Sequence, residues 1–251
     1  MTAPIRVLHV DDEPDVADLT ATFLAREADV IAVETTTSAD EALERIREGT
    51  VDCVVSDYEM AGTDGIELLE AVREAHPELP FILFTGRGSE AVASDAISAG
   101  VTDYLQKGSG TEQYELLANR IRNAVERTRA EQAQNRQLTA IETTREGISI
   151  LDPEGQFIYV NEAYADLYGY DPEAMVGEHW ELVYPDDDVQ RGHDEVVPTV
   201  RETGHLQEKA TGVRADGTTL VNIHTVSLTD SGDFVCTVRD ETDRKERQRE
   251  L

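Results

Sequence analysis

Val51-Asp52-Cys53-Val54-Val55-Ser56-Asp57 is the stretch from which the fold can be read. A short β-branched run of this kind suits a strand buried on both faces of a parallel sheet, and open α/β sheets place their reaction centres at the carboxyl ends of such strands. Three more runs have the same shape: Ile5 to His9 ending in Asp11-Asp12, Phe81 to Phe84 ending in Thr85, and Asp103 to Gln106 ending in Lys107. Each brings its polar groups to one edge. Three carboxylates, a hydroxyl and an ammonium together suit a hard divalent cation and a phosphoryl group.

Working outward, strands alternate with helical periods. Pro14 opens a helix with Val16, Leu19, Phe23 and Leu24 at helical spacing, Val30 to Val33 is a second strand, and Ala39 to Arg47 is a helix that Gly49 stops. Gly62 and Gly65 turn into a helix from Ile66 to Ala75 closed by His76-Pro77, and a further helix spans Glu90 to Ala99. Five βα repeats imply a parallel, doubly wound sheet.

The chain has 251 residues, 39% of them hydrophobic, and a formal net charge of -30. One or two domains with proper cores are expected. Lys107, Lys209 and Lys245 are the only lysines. An acidic, lysine-poor surface fits work in concentrated salt, where self-repulsion is screened, better than an acidic face for one basic partner, because the acids are spread along the whole chain. Nucleic-acid binding is disfavoured, since Arg244-Lys245-Glu246-Arg247, the nearest thing to a basic cluster, is interleaved with acids. Cys53 and Cys236 sit in separate strand-like runs, as buried thiols would in a reducing compartment, and give no metal spacing. With no leader pattern and no apolar run near about 18 residues, the reading is a cytoplasmic protein without a membrane span.

The set Asp11-Asp12, Asp57-Tyr58-Glu59-Met60, Gly65, Thr85-Gly86 and Tyr104-Leu105-Gln106-Lys107 resembles a two-component response-regulator receiver domain. The resemblance implies a flavodoxin-like strand order, Asp57 as phosphoacceptor, and Mg²⁺ held by Asp11, Asp12, Asp57 and the backbone carbonyl of Glu59. It also implies Thr85 and Lys107 as phosphoryl-binding groups, a switch in which Tyr104 follows Thr85, and a histidine kinase as phosphodonor. For Tyr104 a half-buried core role is an equal alternative, and His9 reads as a packed strand residue. Ala61 and Gly108 stand where the family commonly has proline. A cis peptide after Lys107 is therefore disfavoured, since a non-proline cis bond costs roughly 2.5–4 kcal/mol. Glu59 and Arg87, two residues beyond Asp57 and Thr85, are expected to tune the lifetime of the phosphoryl state.

From Glu112 to about Ile141 the sequence reads as one long helix, or as two with a break near Gln132 to Arg136; Leu117, Ile121, Ala124, Leu138 and Ile141 trace a partly polar seam that could pair two copies. The period then changes. Gly147 to Leu151 and Gln156 to Val160 form a hairpin, Asn161 caps a short helix to Tyr168, Asp171-Pro172 starts another, and Pro185 starts a longer one to about Glu202. Strands from Leu206 to Arg214, Thr218 to Leu228 and Phe234 to Arg239 complete an antiparallel α+β sheet.

This order, with Val160-Asn161-Glu162-Ala163-Tyr164, Gly169-Tyr170, Tyr184-Pro185-Asp186-Asp187 and the closing Asp240-Glu241-Thr242, resembles a PAS sensor domain. The resemblance implies a ligand or partner site between sheet and helices, dimerisation, and signal output through Asp240 and Thr242 to a helix starting at Arg244. No ligand can be named: Cys236 is misplaced for a flavin photosensor, His193 reads as a surface histidine, and Trp180 with the tyrosines at 159, 164, 168 and 170 suits a pocket or plain core packing. The expected divisions are a receiver domain at 1–125, a helical connector at 126–142, a PAS domain at 143–243 and a helix start at 244–251. Phosphorelay signalling leads, with a Mg²⁺-dependent aspartyl-nucleophile phosphohydrolase as the alternative class; Asp11-Asp12-Glu13 lacks the Asp-x-Asp arrangement usual there. The chain could also be the N-terminal sensor part of a longer hybrid histidine kinase or transcription regulator, continuing beyond Leu251.

Overall fold

The computed structural model describes residues 3–27, 30–86, 90–108 and 110–240. It divides into two units, Met1–Gln134 and Asn135–Leu251. The first consists of β1 (Ile5–Val10), α1 (Pro14–Glu27), β2 (Ile31–Thr36), α2 (Ala39–Arg47), β3 (Cys53–Ser56), α3 (Gly65–Ala75), β4 (Phe81–Thr85), α4 (Glu90–Ser98), β5 (Asp103–Gln106) and the start of α5 (Glu112–Glu142). Its strands run parallel in the order β2-β1-β3-β4-β5, the flavodoxin-like arrangement.

Alternation along the strands explains the apolar runs. Val7, Cys53, Val55, Ile82 and Phe84 face one layer, where Leu24 of α1 and Leu117 and Ile121 of α5 meet them. Leu8, Val10, Val54 and Leu83 face the other, covered by Ala42 and Ile46 of α2, Leu68, Leu69 and Val72 of α3 and Ala96 of α4. Caps fix the helix starts: Ser38 accepts from the Glu41 amide, and Asp64 with Glu67 forms a reciprocal capping box.

The second unit contains β6 (Gly147–Leu151), β7 (Phe157–Val160), α6 (Glu162–Tyr168), α7 (Pro172–Met175), a 3₁₀ turn (Trp180–Val183), α8 (Asp186–Arg191), a π-helical turn (Gly192–Val196), α9 (Val197–Thr203), β8 (His205–Val213), β9 (Thr219–Leu228) and β10 (Phe234–Asp240). The strands are antiparallel in the order β7-β6-β10-β9-β8. One sheet face packs on the helices through Phe157, Tyr164, Tyr168, Met175, Val200, Leu220 and Phe234. Fully buried Asn161 holds four neighbours at once. Its Oδ1 accepts from the amides of Ile148 (2.8 Å) and Tyr164 (2.9 Å), and its Nδ2 donates to the carbonyls of Ile141 (3.1 Å) and Glu146 (3.0 Å).

Two sequence expectations were open or simpler than the outcome. α5 is one helix of 31 residues, without a break at Gln132 to Arg136. The helix expected from Pro185 to Glu202 is instead α8, a π turn and α9: the Val197 amide reaches back to the Gly192 carbonyl, and Pro198, lacking an N–H, cannot continue the ordinary ladder. No helix among the described residues is long and apolar enough to cross a membrane.

Candidate functional site

Parallel pairing continues one residue past the strand ends and so fixes the backbone of each polar tip. The Asp11 amide donates to the Thr36 carbonyl (3.1 Å), Asp57 to Val10 (2.8 Å) and Lys107 to Thr85 (2.8 Å). Gly65 sets how closely α3 can approach β3. A Cβ there would collide with the Asp57 carbonyl and come within 2.8 Å of Leu83, while the Gly65 amide already donates to the Tyr58 carbonyl at 2.9 Å.

Lys107 Nζ bridges the two acids that these backbones deliver, 2.8 Å from Asp11 Oδ2 and 2.9 Å from Asp57 Oδ1. The other oxygen of Asp11 accepts from the Glu13 amide at 3.0 Å. Asp57 is buried, and burial raises its carboxyl pKa above the usual range; Lys107 opposes that shift and the charge of Asp11 adds to it. For Lys107 burial works against the charge, yet the hydrogen bonds to Asp11 and Asp57 outweigh it and the ammonium pKa is raised.

Asp12 turns elsewhere: its Oδ2 accepts from the Ala61 amide at 2.9 Å. Among the described residues no three His, Cys, Asp or Glu side chains are grouped to enclose a metal ion. Thr85 is buried at the end of β4, beside Gln106 of β5. Tyr104 packs against the layer that includes Ala96, and its buried hydroxyl has no hydrogen-bond partner among the described residues. Glu59 is exposed after β3, while Arg87 lies outside the described residues. Gln113 was not foreseen: its Oε1 accepts from the Gly108 amide at 2.5 Å, so the loop after Lys107 is anchored through a donor that a proline would lack.

His9 is fully buried in β1, as a packed strand residue, and burial pushes its pKa down to about 4. In the second unit Asp240 ends β10 with Arg214 Nη2 3.8 Å from its carboxylate; Thr242 and the helix expected from Arg244 lie outside the described residues. Cys53 and Cys236 are free and buried, and burial pushes the Cys236 thiol up to about 12.

Sequence reading missed a second polar cluster. His224 and Glu208 are cross-strand neighbours on β9 and β8, and Tyr184 and Arg191 reach them from the helices. The available signal was Leu220-x-Asn222-x-His224, a polar pair on the inward phase of a strand. His193 is exposed, as the sequence reading had it. From the surface its ring also lies 5.1 Å from that of Trp180, and its Nε2 2.6 Å from Glu181, contacts that the sequence did not indicate.

Residues 7–119 match the family model described as response regulator receiver domain, and residues 141–246 match that of the PAS fold. The bacterioopsin transcriptional activator of Halobacterium salinarum is 30% identical over 152 residues, covering 54% of this chain and 22% of its own length. The nitrogen assimilation regulatory protein NtrX of Azorhizobium caulinodans is 32% identical over 135 residues, covering 53% and 29%. A receiver domain protein from Clostridium thermocellum superposes with a TM-score of 0.46 at 26% identity, covering 50% of this chain and 98% of that one. The chain thus spans less than a third of the length of these two curated relatives. Fold order, strand-end chemistry and both family matches agree: residues 7–119 are a response regulator receiver domain, followed by a PAS fold at 141–246.

Proposed function

We propose that the chain accepts a phosphoryl group on Asp57 from a partner histidine kinase, in two-component phosphorelay signalling, and passes the change along α5 to the PAS unit. The observation behind this is the convergence of Asp11 and Asp57 on one ammonium, Lys107 Nζ, at 2.8 and 2.9 Å. Two buried carboxylates aimed at a single point favour positive charge there, and their oxygens are the hard donors that Mg²⁺ prefers. Asp11, Asp12, Asp57 and the Glu59 carbonyl are the groups that would hold the ion. When bound, Mg²⁺ would offset charge on the phosphoryl oxygens.

The chain's own residues do the rest. Lys107 holds Oδ1 of Asp57 and leaves the other oxygen to attack phosphorus, while the donor imidazole departs with the electrons of the broken P–N bond and a proton. The new acyl phosphate adds acceptor oxygens that Lys107 and the Thr85 hydroxyl can meet. Inward movement of Thr85 gives Tyr104 room to follow, which makes a two-state output. Asp240 and Thr242 would pass the signal onward from the PAS sheet, and the α5 seam and PAS unit would support a homodimer.

The net charge of -30 suits a cytoplasm of concentrated salt, and a fold as stable in dilute buffer as in molar potassium chloride would overturn that part. Output domains would lie in partners or in sequence outside this segment. Two relatives are named for transcriptional or nitrogen-assimilation control, so a regulator of gene expression is the reading they favour. The deciding experiment is intact-mass analysis after treatment with acetyl phosphate and Mg²⁺. One phosphoryl group per chain, absent from Asp57→Asn, is expected; repeated turnover of a phosphoester without a stable adduct would instead establish a hydrolase.

A further inference from the structure

The two strands that deliver Asp11 and Asp57 carry a second charged cluster at their other ends. Arg6 lies at the start of β1 and Asp11 just past its end; Asp52 lies just before β3 and Asp57 just after it. The four residues of β3 between those acids are fully buried and pair with β1 on one side and β4 on the other. A strand of this length sets Asp52 roughly 16 Å from Asp57. At one end two carboxylates share an ammonium; at the other one carboxylate is shared by two guanidiniums. Asp52 Oδ2 accepts from the amide and the Nε of Arg6, at 2.8 and 3.2 Å, and Arg129 Nη2 of α5 lies 3.2 Å from the same oxygen. Arg129 also donates to the carbonyls of Ala3 and Pro4, at 3.3 and 3.2 Å. Burial works against the charge of Asp52, but the hydrogen bonds from Arg6 and the charges of Arg6 and Arg129 outweigh it, and its pKa is lowered.

Arg129 is also where the first unit's hold on α5 ends. Val125 is the last buried residue of the helix, and every residue from 130 to 140 is exposed. A groove of about 450 Å³ lies along this part of α5, with Thr128, Arg129 and Gln132 on the helix side and Val51, Pro77 and Leu79 on the other. Past Val125 the helix is therefore not seated on an apolar surface. The Arg129 guanidinium reaches the starts of β1 and β3, and the groove leaves the helix room to move when that contact opens. With 35% of the Arg129 side chain exposed, the ion pair is of the weak, solvent-screened kind that a small shift can open.

We propose that Arg129 and Asp52 form a latch that fixes the direction in which the connector helix leaves the receiver, and that the phosphoryl state of Asp57 sets the latch through the paired strands β1 and β3. The second half rests on the reading of Asp57 as phosphoacceptor. An acyl phosphate on Asp57 adds charge and acceptor oxygens between the carboxyl ends of these strands, where Lys107 now bridges Asp11 and Asp57. The strands form one hydrogen-bonded ladder, so displacement at that end reaches the Arg6–Asp52 contact at the other, and Arg129 shares the Asp52 carboxylate. Arg129 is thus a positioning residue for output, without a part in the phosphoryl chemistry itself.

Hydrogen exchange of the full chain, read by mass spectrometry, tests both halves. In the unphosphorylated protein Arg129→Met is expected to speed exchange of amides 126–134 about fivefold while amides 114–125, packed in the core, keep their protection; Arg129→Lys, which keeps the charge but not the fork, should fall between. Labelling of Asp57 by acetyl phosphate should proceed at the unaltered rate in both variants. In the wild-type chain that labelling should change exchange of amides 126–134 by about threefold, and Arg129→Met labelled to the same extent should show no such change. Unaltered exchange over 126–134 in Arg129→Met, full labelling of the wild-type chain without a change there, or a labelling-dependent change that persists in Arg129→Met overturns the proposal. Absence of any labelling defeats the reading of Asp57 and with it the link through β1 and β3, and the unphosphorylated comparison then decides the latch by itself.

Discussion

The two units place buried polar groups by opposite means. In the parallel sheet every strand points its carboxyl end the same way, so Asp11, Asp57, Thr85 and Lys107 gather at one edge although they are far apart in sequence. In the antiparallel sheet inward positions of neighbouring strands face each other across the middle, and His224, Glu208 and Tyr184 meet inside, beneath helices. An edge suits exchange of a group with another macromolecule; an interior suits retention of a small molecule. Direction of strand pairing thus separates an edge cluster from an interior one.

The sharpest way to break this comparison is Asp57→Asn. Phosphoryl incorporation should vanish, while urea unfolding of the second unit, read from the emission of Trp180, should be unchanged in the unphosphorylated protein. Lys107→Met comes next: loss of the ammonium between Asp11 and Asp57 should slow acetyl phosphate labelling by about 10²-fold, measured by the time course of intact mass. Acid titration then sets the two buried histidines side by side. His9 has a folded pKa of about 4 against 6.5 for the free side chain, and that of His224 is also lowered, in both cases chiefly by burial. The unfolded chain therefore binds the proton more tightly. The stability in question is fully present above pH 6.5 and is lost as pH falls through the folded value, by about 3 kcal/mol for His9 on reaching pH 4. Urea titrations followed by hydrogen exchange in the first unit should show this loss, and His9→Leu should flatten it; Trp180 emission reads the second unit separately. The smallest effect expected is a roughly threefold slower labelling in Gln113→Ala, where the Gly108 amide loses its acceptor but water can replace it.

Much of the first unit was legible because one rule, apolar strand followed by polar tip, repeats four times around the site. Periodicity also located nearly every strand and helix of the second unit. What remained hidden depends on contacts between segments distant in sequence. Gln113 anchors a loop five residues away through a side-chain amide that has no pattern of its own. Trp180 fits where it does because Gly155 and Gly192 leave room for it, and the π turn that brings Gly192 there follows from a competition between Pro198 and the helix ladder. The charged sequence neighbours of His193 correctly pointed to the surface, but not to the ring of Trp180 beside it.

Asn161 has a mechanical consequence. One amide fastens the last turn of α5, the following loop, the first strand of the PAS sheet and the start of α6, and β6 in turn pairs with β10. Under the signalling proposed above, torque delivered along the helix would pass into the sheet rather than be taken up as slack between residues 142 and 147. Replacing that rivet with an aspartate, which would set a buried carboxylate against the two carbonyls, would loosen the joint and lower the stability of the second unit.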